Sequence, residues 1–406
     1  MTSIETRQQR LAPSALSRHL AAFANAVDRP VRRFSAARLV GLPAPLLAIL
    51  AILAVNFGLI LLDGRPPSAD DAEQLSQATG WALGYSGVQP PVHTWIVMTL
   101  QSLFGEGLTA VLAARWFVVS AFFVALAGLC RALELKGDAL GAGLFGAFLL
   151  PQIGWEAQRT FSHSLSALFF SVLFVGILVF AARVKSLPLW AGLGLAAAFA
   201  LLSKYNTALL IGCGFFAFAS LSQARRMTPR FGPVVFIAAA LLILAAPGAW
   251  LFDRLQTLDD SAKKFAFVEG EPVWTAALGL GNYALAIAAY VAPLVLVACL
   301  GLLQIKGRAG LSSAFAAFRT STGVRLILRT MLLALAIGLV LILASGATAV
   351  EVYWLHPALV MSAPVIAFAL ERADPSGHAN RIVIAWGLVA ALVTTLVFFF
   401  RSFGFG

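Results

Sequence analysis

The sequence predicts an all-α, polytopic membrane protein, and three observations carry that prediction. Of its 406 residues, 60% are hydrophobic and only 12% charged, and a mean hydropathy of +0.88 lies outside the range of water-soluble globular chains. The apolar residues come in long unbroken runs, eleven of which approach the length a helix needs to cross a bilayer. The polar residues between these runs segregate by charge in the way that membrane topology demands.

The first element is a basic arm over residues 1–43. It holds seven arginines (Arg7, Arg10, Arg18, Arg29, Arg32, Arg33 and Arg38) against Glu5 and Asp28. With so long a polar and basic stretch ahead of the first apolar run, no cleaved signal peptide is expected, and the first span is expected to act as a signal anchor. The arm is expected to stay cytoplasmic, to begin without fixed structure and then to lay an amphipathic segment on the inner leaflet.

Residues 44–406 form the expected transmembrane domain. Its apolar windows run Ala44–Leu62, Thr109–Leu133, Ala139–Ile153, His163–Ala182, Leu187–Ser203, Asn206–Leu221, Phe231–Leu251, Pro272–Leu303, Thr330–Gly346, Trp354–Leu370 and Ile382–Phe400. Eleven spans put the N-terminus inside and the C-terminus outside, with a first periplasmic loop over 63–108. The segment Val92–Phe104 is too short for a span and reads as a juxtamembrane or re-entrant helix. Under this topology 21 of the 29 Lys and Arg residues fall in the arm and the cytoplasmic loops, while the outer face keeps eight, together with 12 of the 18 acids. Counting Val92–Phe104 as a span would invert that bias. The chain stops six residues past the last window, at Gly406, so no soluble C-terminal domain is expected.

Several function classes fall away. The net charge of +11 is accounted for by cytoplasmic loops and anionic lipid, and without a basic stripe interleaved with aromatics it does not point to nucleic acid. Cys130, Cys213 and Cys299 lie in or beside apolar runs with no CxxC spacing, so thiolate metal sites and disulfides are not expected. No HExxH or similar ligand spacing occurs; a divalent metal stays open but nothing in the sequence supports it.

The longest polar interruption is Arg65–Trp95, with Asp70, Asp71 and Glu73 in four positions and His93 just past Pro90-Pro91. Carboxylates beside a membrane are costly to desolvate, so such a cluster reads as a functional site. Three further patches share its face: Glu156, Arg159 and His163; Lys204-Tyr205; and Glu351, Tyr353 and His356 in the last loop. Cations at this depth suit a phosphate, and a carboxylate beside them can take a proton from an attacking hydroxyl. Lys204 interrupts two apolar runs with no acidic neighbour, which suits phosphate binding or snorkelling to the interface. Glu156 and Arg159, three apart, suit either substrate contact or a pair on one helical turn. For the three histidines an interfacial hydrogen-bonding role is the simpler reading. The stretch Phe252–Phe265, with Arg254, Asp259, Asp260, Lys263 and Lys264, predicts an amphipathic helix flat on the outer surface, with a lid as the sharper alternative.

The segments PPSADDAEQL…GWALGYSGVQPPVHTW, PQIGWEAQRTFSHSL, LLSKYN and YWLHPALVMSAP, in that order, resemble the RgtA/B/C/D-like members of the dolichyl-phosphate-mannose protein mannosyltransferase superfamily. These are membrane glycosyltransferases of the C type. The resemblance implies a GT-C fold in a bacterial inner membrane. It also implies transfer of a sugar, with inversion, from a polyprenyl-phosphate donor to a lipid or glycan acceptor at the periplasmic side, lipopolysaccharide core or lipid A being the family-based expectation. In the family pattern the first acid of the first loop is the general base, here Asp70, with Asp71 in the second position. Gln89-Pro90-Pro91 matches the Gln-Pro-Pro element, with His93 where an aromatic is usual, and Lys204-Tyr205 resembles the basic residue at the donor phosphate, with Arg159 assisting. Two departures stand out: Glu351 and Tyr353 occupy the last loop where a basic residue is common, and many relatives append a soluble periplasmic domain. A transporter or flippase for polyprenyl-linked lipid, or a non-catalytic lipid-binding partner, is the alternative; the former would bring internal repeats and mid-membrane charges.

Overall fold

The structure, a computed structural model, describes residues 28–254, 272–303 and 309–404. A short helical stretch over 28–36 and a two-residue hairpin, β1 (Arg38–Leu39) with β2 (Leu42–Pro43), lead into α1 (Ala44–Asp63). The first loop carries α2 (Ala69–Gln77) and α3 (Val92–Phe104). Then follow α4 (Leu108–Ala132), α5 (Gly137–Phe145), α6 (His163–Ala181), α7 (Leu187–Leu201), α8 (Thr207–Ala219) and α9 (Gly232–Phe252). The chain closes with α10 (Pro272–Leu303), α11 (Ala309–Thr320), α12 (Thr322–Ser345), α13 (Ser362–Ala373) and α14 (His378–Ser402).

Helix is the only open-chain way to satisfy every backbone group in hydrocarbon, and each of the eleven apolar windows falls on one. Seven helices (α1, α4, α6, α9, α10, α12 and α14) are long and apolar enough to cross a membrane. Val352–Leu359 and α13 make one further pair, bent by 46°. The other three windows hold shorter helices: α5 with its continuation to Leu149, α7 and α8. By length and composition, then, seven or eight described helices reach span length, against the eleven that the sequence suggests. At the third window the reason is local. After α5 the ladder tightens to a 3-10 turn over Gly146–Leu149, passes Pro151 and widens to a π turn over Gln152–Glu156. Gly154 permits this, since a Cβ there would stand 2.2 Å from the Phe148 carbonyl oxygen.

The packing is built around α4 and α6, most of whose residues are buried, whereas few residues of α9 are buried and it docks chiefly on α7. α8 pairs with α12, and α14 packs against α1, α5 and α10. At the end of the bundle away from the first loop, Arg381 joins Asp28 (2.5 Å) and Asp138 (2.6 Å), and His378 adds a 2.9 Å contact to Asp28. These bonds hold Asp28, with a carboxyl below its ordinary range, against the last helix. Of the arm predicted over residues 1–43 only this portion from Asp28 is described, and the outer amphipathic helix predicted over Phe252–Phe265 lies outside the described residues beyond Arg254.

Candidate active site

The site grows from the N-terminus of α2. Ser68 caps that helix: its hydroxyl accepts from the Asp71 backbone N–H (3.2 Å), and Asp71 Oδ2 accepts from the Ser68 N–H (3.0 Å) and Oγ (2.7 Å). This reciprocal cap, with two acids in the first turn of a helix dipole, is why SADDAE starts a helix here. Successive residues of a helix diverge by ~100°, so Asp70 and Asp71 face different neighbours.

Asp71 is buried and its Oδ1 pairs with Arg115 Nη2, both side chains being at most 5% exposed. The Arg115 fork also donates to the carbonyls of Phe161 (3.2 Å) and Thr160 (3.3 Å). Sequence reasoning left Arg115 out of the site; a guanidinium inside an apolar window was the available signal. Through it the loop 160–162 is fixed against α2, and Ser162 Oγ donates to Asp70 Oδ2 at 3.3 Å. Asp70 is half-buried. Desolvation pushes its carboxyl above the ordinary range, against the lowering pull of Ser162 and Arg115.

Phe161, next in that loop, contacts the rings of Tyr353 (6.0 Å) and His356 (5.1 Å) edge-on. Asp70 lies within electrostatic reach of Tyr353, and Lys204 Nζ sits 4.5 Å over the Tyr353 ring while donating to Ser164 Oγ at 2.8 Å. The predicted residues Asp70, Lys204, Tyr353 and His356 thus converge. Lys204 and Tyr205 stand at one wall of an apolar cavity of about 680 Å³ between α8, α10, α12 and the last loop. Gly87, Val88, Gln89 and Pro90 form another part of that wall. Gly87 (φ +67°) and Val88 (φ +55°) both take left-handed backbone there, a strained conformation for a β-branched valine. Burial raises the Tyr205 hydroxyl pKa.

The other predicted residues divide between hydrogen-bonded and exposed positions around this group. Gln89 Nε2 donates to Glu73 Oε1 at 3.1 Å, as does Gln77 at 3.3 Å, tying the Gln-Pro-Pro turn to α2. His93 Nδ1 bonds Ser166 Oγ at 2.8 Å, and His163 Nε2 bonds Gln74 at 2.9 Å; the two rings are 5.8 Å apart. Burial, with His163 and Arg115 nearby, holds His93 well below the ordinary imidazole range and keeps it neutral. His356 Nδ1 bonds the buried Tyr290 hydroxyl (3.1 Å). Arg159 pairs with Glu156 at 2.9 Å and faces a different cavity from Lys204. Glu351 is exposed before the turn Val352–Leu355. Among the described residues no three His, Cys, Asp or Glu side chains are grouped to hold a metal ion.

Comparison with known proteins agrees with this frame. Residues 88–250 match the family model described as dolichyl-phosphate-mannose-protein mannosyltransferase. The lipopolysaccharide core galacturonosyltransferase RgtB of Rhizobium johnstonii is 31% identical over 362 residues, 85% of this chain and 71% of its own length. RgtA of the same organism is 30% identical over 322 residues, 78% of this chain and 62% of its own. The crystal structure of ArnT from Cupriavidus metallidurans bound to undecaprenyl phosphate shares the fold, with a TM-score of 0.53 at 13% identity over 82% of this chain and 61% of that one. Its apo form gives 0.54 at 12% identity, over 86% and 62%. The chain therefore spans less than two thirds of the length of RgtA and of ArnT. A capped acidic helix, a lysine at the mouth of an apolar cavity and the match along most of RgtB converge, and this multi-pass membrane protein belongs to the RgtA/RgtB family of C-type membrane glycosyltransferases, in the dolichyl-phosphate-mannose-protein mannosyltransferase superfamily.

Proposed function

We propose that the chain transfers a sugar from a polyprenyl-phosphate donor to a cell-envelope acceptor, with inversion, and that Asp70 is the general base. The observation that carries the reading is the placement of Asp70: a half-buried carboxylate of raised pKa, bonded by Ser162 and within electrostatic reach of Tyr353, over whose ring Lys204 sits. The apolar cavity beginning at Lys204 suits a polyprenyl chain, and the ammonium at its wall suits the phosphate. The undecaprenyl phosphate bound in the ArnT crystal structure supports a lipid-linked donor of this kind.

In the proposed step the acceptor hydroxyl oxygen bonds to the anomeric carbon as the bond from that carbon to the phosphate oxygen breaks. The electron pair leaves on the polyprenyl phosphate, and the hydroxyl proton passes to Asp70. Phosphate is already a good leaving group, so the protein has to orient the acceptor, take its proton and steady the departing charge. A carboxylate of raised pKa is the better base for that work, and Lys204 neutralises the leaving group. The names of the relatives favour a galacturonosyl donor and a lipopolysaccharide core acceptor. The site would then face the periplasm from a bacterial inner membrane, with the N-terminal arm cytoplasmic.

The test is incubation of the protein in nanodiscs with undecaprenyl phosphates carrying different sugars and an envelope glycolipid extract, following donor loss by mass spectrometry. Wild type should consume one donor, and Asp70→Asn should bind that donor while turning it over ~10²–10⁴-fold more slowly. An Asp70→Asn protein as active as wild type sinks the mechanism.

A further inference from the structure

The end of the bundle away from Asp70 carries a cavity of about 760 Å³, between residues 35–38 and Pro43 on one side and the turn that joins α4 to α5 on the other. Two ties fix the basic arm as its wall: Ser35 Oγ donates to Asp138 Oδ1, and Arg381 bonds both Asp138 and Asp28. The charged side chains around the cavity are Arg38, Arg131 and Lys136 against Glu134 alone. Glu134 is paired with Arg183, which stands outside this cavity. Lys136 lies within electrostatic reach of Glu371, but none of the three cations forms an ion pair with a described carboxylate. One cleft thus gathers two guanidinium forks and an ammonium with their charge unneutralised, a set that matches the oxygens of a phosphate.

The hairpin at the edge of the cavity indicates what carries that phosphate. Arg38 pairs with Pro43 and Leu39 with Leu42, across a turn in which Val40 (φ +52°) and Gly41 (φ +77°) both take left-handed backbone. Such turns ordinarily hold Asn-Gly or Asp-Gly, because a β-branched side chain is strained there. This one presents instead a valine at 92% exposure beside Leu39 at 65%. α1, long and apolar enough to cross a membrane, begins at Ala44, so at most ~14 Å of chain separates Val40 from it. An apolar tip this close to hydrocarbon, beside unneutralised cations, complements a lipid, whose chains suit the tip and whose phosphate suits the cavity. We propose that the cavity binds the headgroup of an anionic phospholipid from the leaflet on that side, that Leu39 and Val40 sit among its acyl chains, and that the described part of the arm serves as the wall of this site. The inference is independent of the transferase reading.

The test counts lipid bound to the full chain in detergent by native mass spectrometry, with phosphatidylglycerol, phosphatidylcholine and acyl-free glycerophosphoglycerol as probes. Wild type should bind phosphatidylglycerol about tenfold more tightly than phosphatidylcholine, the scale set by two cations near a lipid surface, and should bind the acyl-free headgroup at least about tenfold more weakly than the phospholipid. Arg131→Gln/Lys136→Gln should erase the preference and keep the phosphatidylcholine affinity, which also reports a folded chain. Arg226→Gln/Arg319→Gln should keep the preference. That pair removes as much charge from exposed positions outside the cavity, near Gln223 and Thr320, which line a neighbouring cavity with Glu134 at the same end. No preference in wild type overturns the site, and an equal loss in both pairs overturns it in favour of a diffuse basic face. Leu39→Ser/Val40→Asn should weaken both phospholipids alike, by about tenfold; unchanged binding overturns the role of the tip. Acyl-free headgroup bound as tightly as the phospholipid overturns the lipid assignment in favour of a soluble phosphate.

Discussion

At Asp70 burial works against ionisation, and both the proposed chemistry and the stability depend on that opposition. With the carboxyl pKa raised, turnover should fall as pH drops through the raised value, and the acid limb of kcat/KM should disappear with the residual activity of Asp70→Asn. For stability the sign is the reverse of the usual acid case. The folded state holds the Asp70 proton more tightly than the unfolded chain, so stability declines as pH rises from the ordinary to the raised pKa, and the full cost of ionisation persists at neutral pH. Thermal unfolding at pH 7 should therefore show Asp70→Asn at least as stable as wild type. Asp71→Asn should behave in the opposite way, because it strands the buried Arg115 charge at a cost of ~3–5 kcal/mol; loss of the folded fraction is the expected readout. The sequence displayed both acids but not their division of labour. That depends on Arg115, hidden in an apolar run, and on Ser162, which nothing in its local pattern distinguishes. Lys204 is legible because it stands in a short polar break between two apolar runs, whereas Arg115 stands inside one.

Among elements, the first loop was the most readable, since its cap and turn chemistry is local. Ser68 begins α2, and the pair Pro90-Pro91 leads into α3, whose limits are those read from the sequence. The span ends were least readable, because the apolar run continues through residues 146–150 while the backbone ladder has already tightened and is about to widen. Close helix crossings depend on single glycines that composition cannot single out. At Gly387 a Cβ would lie 2.2 Å from the Phe145 carbonyl oxygen, where α14 crosses α5. Gly387→Ala should force these helices apart at a cost of ~1–3 kcal/mol, seen as a lower unfolding midpoint in detergent. At Gly84 the same atom would meet the Trp250 ring at 2.2 Å. Gly84→Ala should displace the end of α9 and quench or shift Trp250 fluorescence, with a smaller stability loss because α9 is peripheral.

For the whole molecule, eleven crossings and a cytoplasmic arm would leave the two chain ends on opposite sides of the membrane. Single cysteines placed at Ser402 and Ser376, in a variant lacking Cys299, should then differ. The first should label with an impermeant maleimide in intact spheroplasts and the second only after permeabilisation; the reverse pattern inverts the orientation. The last helix gives the molecule a further property. α14 bonds backward to Asp28, 353 residues away, to Asp138 and to Gly154, and its Ser402 hydroxyl reaches the Leu59 carbonyl across 343 residues. During synthesis that helix emerges after every element it ties down. Until it does, Asp28 lacks both of its cationic partners, Arg381 and His378, and the Gly154 carbonyl keeps Gln158 but lacks Thr394. Closure of the bundle thus waits for α14, and a chain truncated before Arg381 should leave its first and middle segments open, read as faster cleavage by an added protease.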